Sequence, residues 1–291
     1  MAQLEMEQFK LKIKQDYEKL LALLSRVLAA DNYLSFGDAD DNERLSIARG
    51  LTNKFIEHAV TILHLSRGTS LDLPSFKYRL VDCASVDVLA RASLEAFLVF
   101  HYVFYAPTTK EGKNYRYWAY KATGIAEREN APASTKEYRQ KQAEEKKELN
   151  KLRERLKSNT VFQSLTDNQK KQILRGRWKL PSWREIAIDA GVSEMIASHM
   201  YSSLAGCAHS SMLSVVQMVE AHRDREEEEL VNSSMGFMNS VIANMIREYC
   251  GLFSKAQEIL SKDHEGSYIV DWWIQVDHGL DEFTNIGQGN D

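Results

Sequence analysis

The chain has 291 residues, 44% of them apolar and 27% charged, with a formal net charge of −4. That balance supports a sizeable core, as one large helical domain or two small ones, and excludes disorder as the main state. Only four prolines and 14 glycines occur, so breakers are scarce, long helices are expected and an all-β fold is disfavoured.

The opening MAQLEMEQFK carries no cationic segment followed by an apolar run and a cleavage site, so a cytoplasmic location is expected. Cys83, Cys207 and Cys250 are odd in number and widely spaced, against a disulfide framework or a paired zinc motif, and read as small buried hydrophobes. Residues 81–106 are long and apolar enough to span a bilayer, which takes about 20 residues. They also contain Asp82, Asp87, Arg91 and Glu95, and each such charge costs about 2.5–3.5 kcal/mol at a membrane centre. A buried core helix is the better reading, with no membrane partner.

In chain order, Phe9, Ile13, Tyr17, Leu20, Leu24, Val27 and Leu28 recur at spacings of three and four and predict a helix over 3–30. Residues 31–41 read as a loop rich in Asp, Asn and Gly. A second helix places Leu51, Phe55, Ala59, Ile62 and Leu63 inward and ends at Gly68. After a Pro-containing turn over 69–75, a third helix is expected from 76 to 105, stopping before Pro107. It is apolar almost all round, the pattern of a central helix packed on several sides. A fourth covers 110–129 with Tyr117, Trp118, Tyr120 and Ile125.

Residues 135–157 are charged with mixed sign and almost no core positions, which predicts a solvated helix projecting from the body or closing over it. Short helices are expected over 167–174 and 182–190, the latter closed by Gly191, and two more over 193–204 and 210–221. The last long helix, 224–261, begins with Glu226, Glu227, Glu228 and Glu229, which complement the positive end of its dipole. Tyr268, Ile269, Trp272, Trp273 and Ile274 form a final apolar cluster that docks on the bundle before the chain frays after Phe283. The architecture is therefore all-α: a multi-helix bundle with a central buried helix and a projecting charged helix. It divides into an N-terminal pair (1–68), a main bundle (69–262) and an aromatic C-terminal segment (263–291).

Asp87, Arg91 and Glu95 lie four residues apart and share one face of the third helix, since eight residues at 100° each return to within about 80°. Buried charges need partners. The stripe is either a self-satisfied ionic network fixing helix register or the wall of a cleft that orients a polar ligand. A second candidate is the small-residue stretch from Tyr201 to Ser211, where Tyr201, His209 and Ser210 supply donors and acceptors. Together Asp87, Arg91, Glu95, Tyr201, His209 and Ser210 make a candidate polar cleft, with Arg91, Glu95 and His209 as the catalytic candidates. Further on, Lys170, Lys171, Arg175, Arg177 and Lys179 surround Trp178, a combination that suits phosphate contact and base stacking. The same cations also read as a solvated face near a helix end.

Several chemistries lack their spacing. No histidine has an acid three residues before it and no two are four apart, which disfavours a bundle metal site, so no metal is expected. Neither G-x-G-x-x-G nor a phosphate loop occurs, so no nucleotide or other cofactor is expected. No nucleophile elbow recommends Ser-His-Asp chemistry.

Arg91-Ala-Ser-Leu-Glu95 on an apolar helix, then Trp183, Ala187 and Gly191, then Tyr201, Leu204 and Ala208-His209-Ser210, resemble an uncharacterised bacterial helical family, domain-of-unknown-function family 5677, over 76–219. That family is in turn distantly similar to the HEPN bundles, many of which are ribonucleases of prokaryotic defence and toxin systems and commonly form their sites across a dimer. HEPN enzymes separate an arginine from a following histidine by four to six residues, so that the arginine stands five to seven positions upstream. No histidine here stands in that relation to an arginine, so a nuclease would have to assemble Arg91 and His209 from different helices. The expected function is a non-enzymatic helical interaction module, a homodimer or a component of a bacterial defence or regulatory assembly. The alternative is a HEPN-like RNA-binding or RNA-cleaving effector.

Overall fold

The computed structural model describes residues 2–30, 39–129, 131, 132 and 134–287, and the described residues are almost entirely helical. None of these helices is long and apolar enough to cross a membrane. The chain folds as two compact units, one made of the residues up to Phe100 and those from Ala187 onward, the other of His101–Ile186. Both boundaries fall inside the segment 69–262 that the sequence groups as one body.

In the first unit, α1 (Ala2–Ala30) and α2 (Ala39–Ser66) pack on one another, and α2 ends at Gly68 with φ +80°, the left-handed cap expected there. The expected loop over 31–41 lies, up to residue 38, outside the described residues. The chain then departs from the predicted helix start at 76. It forms an antiparallel hairpin of β1 (Thr69–Leu73) and β2 (Phe76–Leu80), with Leu73 paired to Phe76 around Pro74 and Ser75. The missed signal is strict alternation: Phe76, Tyr78 and Leu80 are interleaved with Lys77 and Arg79, a period of two rather than 3.6.

The central helix α3 (Cys83–Phe100) buries Val86, Ala90, Leu94, Phe97, Leu98 and Phe100 and packs against α2, α9 (Glu194–Ala208) and α11 (Glu227–Leu252). It is the enclosed rod that its apolar pattern implies. α10 (Met212–Asp224) joins α9 to α11. The expected single helix over 224–261 is broken, because α11 stops at Leu252, Phe253 takes an extended backbone, and α12 (Ser254–Lys262) follows. Buried Phe253 stacks on Tyr249, 4.4 Å between ring centres, so an apolar anchor rather than a Gly or Pro makes the break. α13 (His264–Gly287) carries the aromatic cluster against α1 and α11, with Trp273 and Ile274 buried, and its helix runs past Phe283 to Gly287.

The second unit opens with a π-helical turn, His101–Tyr105, closed by Ala106 N–H donating to the His101 carbonyl at 2.9 Å. α4 (Lys110–Arg128) starts at Thr109, whose hydroxyl accepts from Gly112 N–H, and α5 (Lys136–Ser158) is capped in the same way by Thr135. The charged α5 has a core face after all. Leu149, Leu152 and Leu156 are buried with Tyr115, Ala119, Ala122 and Ile125 of α4, while its first turns remain exposed. The spacing 149, 152, 156 is a helical stripe too short to stand out against the surrounding charge. α6 (Thr160–Gln163) and α7 (Asp167–Leu174) complete this core through Phe162 and Ile173. α8 (Trp183–Asp189) ends the unit and is followed by Gly191 at φ +78°, the stop expected from sequence.

Candidate functional site

The first turn of α3 sets Cys83 and Asp87 on one face, one helical turn apart. α9 brings Cys207 against that face and α11 brings Ser234. Ser234 Oγ donates to Asp87 Oδ1 at 2.5 Å, and Cys207 Sγ donates to Asp87 Oδ2 at 3.1 Å. Burial pushes the Asp87 carboxyl above the usual carboxylate range, against a smaller opposing effect of these two donors. Burial and the neighbouring Asp87 push the Cys207 thiol up to about 12, and burial likewise raises Cys83. Both thiols are therefore weak nucleophiles held in their neutral form.

These groups line a cavity of about 290 Å³ enclosed by α3, α9, α10 and α11. Its polar wall is Asp87, the two thiols, the Gln217 amide and the hydroxyls of Ser210, Ser214, Ser233 and Ser234, and its apolar wall includes Leu204, Val215, Met218 and Leu230. Among the described residues lining it there is no Lys, Arg or His. The turn that closes α9 shapes one edge. Ser211 N–H donates to the Gly206 carbonyl at 2.9 Å, Ser210 adopts a left-handed backbone at φ 51°, and Ser211 caps α10. A Cβ at Gly206 would meet Ser211 Oγ at 2.8 Å, so a side chain there would push that hydroxyl from its capping position on α10.

The sequence-derived cleft is thus divided. Asp87 and Ser210 meet at the cavity, whereas Arg91 donates from Nε to Glu95 Oε1 at 3.1 Å on the next turns of α3, and neither lines it. The reason is axial: Glu95 lies about 12 Å along the helix from Asp87, so residues that share a face need not share a cavity at one helix end. His209 is exposed on the turn after α9 and does not line the cavity. The side chain of Tyr201 lies outside the described residues. Around Asp87, Cys83, Cys207 and Ser234 were missed: both cysteines read as buried hydrophobes, although Cys83 stands one turn before Asp87 and Cys207 lies within the small-residue stretch. Nothing local marks Ser234, which only the packing of α11 brings to Asp87.

The basic candidates belong to the second unit. Lys171, Arg175 and Arg177 are exposed, with Arg177 donating to Gln172 Oε1 at 3.1 Å, while Lys170 and Lys179 are half-buried. Trp178 is not displayed for stacking. Its ring sits among Tyr102, Tyr120 and Trp183, with centroids 5.8, 5.2 and 6.0 Å away, and Lys179 lies over Trp183 at 4.3 Å. Aromatic faces used in packing are withdrawn from a nucleic-acid base. Among the described residues, no three His, Cys, Asp or Glu side chains are grouped to hold a metal ion.

Fold and site together define an all-α bundle whose central helix presents a half-buried, hydrogen-bonded carboxylate to a small cavity. Residues 45–228 match a family of unknown function, DUF5677, and the chain belongs to that family. The match begins within α2 and ends at the start of α11, so it takes in the α3, α9 and α10 walls of the cavity and stops short of the lining residues of α11. No curated protein and no solved structure matches the chain.

Proposed function

We propose that this chain is a non-enzymatic helical interaction module that docks through α10, and that a second copy of the chain is its partner. The observation that carries this reading is the exposure of α10. Met212 is 79% exposed, Leu213 68% and Val219 58%, Val215 is exposed as well, and of the whole helix only Ala221 is buried. Contiguous apolar side chains on one free helix mark an association surface more often than isolated ones do. Met212, Val215 and Val219 follow the spacing of a helix-pairing seam, and no charged residue interrupts 212–219. An uncharged seam is self-complementary, as an interface across a two-fold axis requires. The distant HEPN likeness supports a place for such a dimer in a defence or regulatory assembly.

The RNA-cleaving alternative needs Arg91, Glu95 and His209 at one point. Arg91 is engaged by Glu95 while His209 stands on an exposed turn, which weighs against it. The deciding experiment is light scattering after gel filtration on the wild type and on Leu213→Glu/Val219→Glu. A dimer that becomes a folded monomer in the variant supports the reading. A wild type that stays monomeric at tens of micromolar overturns it, as does cleavage of total RNA abolished by His209→Ala.

A further inference from the structure

Asp87 is a half-buried carboxylate whose hydrogen-bond partners among the described residues are both neutral. The Ser234 hydroxyl and the Cys207 thiol each occupy one oxygen, and among the described residues Asp87 takes part in no ion pair. The nearest cation of its own helix stripe, Arg91, pairs with Glu95 instead. An ionised carboxylate has about four acceptor positions, and the two donors leave the others open. Beside it lies a cavity of about 290 Å³, close to the lower end of the range for small-ligand pockets. The wall opposes an anion, because Asp87 is negative when ionised and no described basic group offsets it. The same wall suits a cation. Ser210, Ser214 and Ser233 offer hydroxyl acceptors, while Leu204, Val215, Met218 and Leu230 would cover an apolar chain.

We propose that this cavity is a binding site for a small organic cation, a primary ammonium on a short alkyl chain, with Asp87 as its counter-ion. A buried charge is stable when paired and hydrogen-bonded, and an ammonium brings both the opposite charge and three donors. Ser234 and Cys207 act as positioning residues, holding the carboxylate so that its remaining lone pairs face the cavity. The cavity shares Val215 with the α10 seam, but Leu213 and Val219 do not line it, so their substitution disturbs self-association without changing the cavity wall.

The test is titration calorimetry with n-pentylammonium, 1-pentanol and pentanoate on the wild type, Asp87→Asn and Ala84→Leu, with helix content and thermal midpoint recorded for each. Ala84 lines the cavity from α3 one turn before Asp87, so the leucine fills it while the carboxylate itself is kept. The expected result is binding of pentylammonium to the wild type, with the alcohol and the acid weaker by roughly tenfold or more, the scale of one charge-assisted hydrogen bond lost. Asp87→Asn and Ala84→Leu should each lose binding by a similar factor while remaining folded. If Asp87→Asn does not fold, Ala84→Leu and the uncharged analogue decide. Absence of amine binding, equal binding of the alcohol, or unchanged affinity in Ala84→Leu overturns the proposal. Leu213→Glu/Val219→Glu should keep amine binding, so loss of the dimer and loss of the cavity are read separately.

Discussion

Trp273 of α13 donates its indole N–H to Asp16 Oδ2 of α1 at 3.0 Å, and Lys12 reaches the same oxygen at 2.6 Å while lying 4.3 Å over the ring of Trp272. Asp16 and Trp273 are both buried, so this bond fastens the C-terminal aromatic helix to the first helix of the chain. Trp273→Phe keeps one aromatic ring in place but removes the donor, and is expected to destabilise by about 1–3 kcal/mol. Trp273→Ala also opens a cavity and should cost about 3–5 kcal/mol. Urea unfolding followed by circular dichroism checks both. A Trp273→Phe as stable as the wild type would mean that the hydrogen bond contributes nothing separate from packing.

The raised carboxyl of Asp87 links stability to pH. Its pKa in the folded chain lies above the unfolded value near 3.8, so between the two the folded state keeps a proton that the unfolded state has released. Stability from this group is therefore fully present below the unfolded value, falls as pH rises through the window, and levels off above the folded pKa. The groups facing it are the thiols of Cys83 and Cys207 and the hydroxyl of Ser234, none of which ionises in that window. Asp87→Asn removes the effect, so its thermal midpoint should rise relative to wild type as pH increases from 4 towards neutrality. A constant difference across that range would sink the assignment.

Cys207 reports on the same carboxylate. With its pKa raised to about 12, roughly one thiol in ten thousand is ionised at pH 8, and iodoacetamide should modify it far more slowly than free cysteine. Asp87→Asn replaces the charged acceptor with a neutral amide and removes the negative neighbour, so alkylation of Cys207 should accelerate in that variant. Peptide mapping by mass spectrometry measures it. An unchanged rate would show that burial alone protects the thiol.

In the second unit, Trp178 and its flanking cations should separate cleanly. Trp178→Ala removes the centre of the aromatic cluster and should cost about 3–5 kcal/mol. Exposed Lys171→Glu and Arg175→Glu should stay within about 0.5 kcal/mol of wild type. Leu152→Ala in α5 should cost about 2–5 kcal/mol, whereas Lys146→Ala, exposed on the same helix, should be near neutral. A neutral Leu152→Ala would mean that α5 carries no core face.

The sequence by itself determined what depends on neighbours along the chain. The all-helical character, the enclosed helix around Arg91, the stops at Gly68 and Gly191 and the family resemblance all follow from apolar periodicity, caps and breakers within one or two turns. The hairpin was also locally encoded, in the alternation of Phe76, Tyr78 and Leu80, but the apolar run that follows masks it. Tertiary structure alone decided which polar groups meet. Asp87 and Glu95 share a helical face yet part company, because the cavity closes around only one end of α3, while Ser234 and Cys207 reach Asp87 from 147 and 120 residues away. Periodicity says which way a side chain points, but what stands opposite is fixed by how distant helices pack, and no local spacing records that.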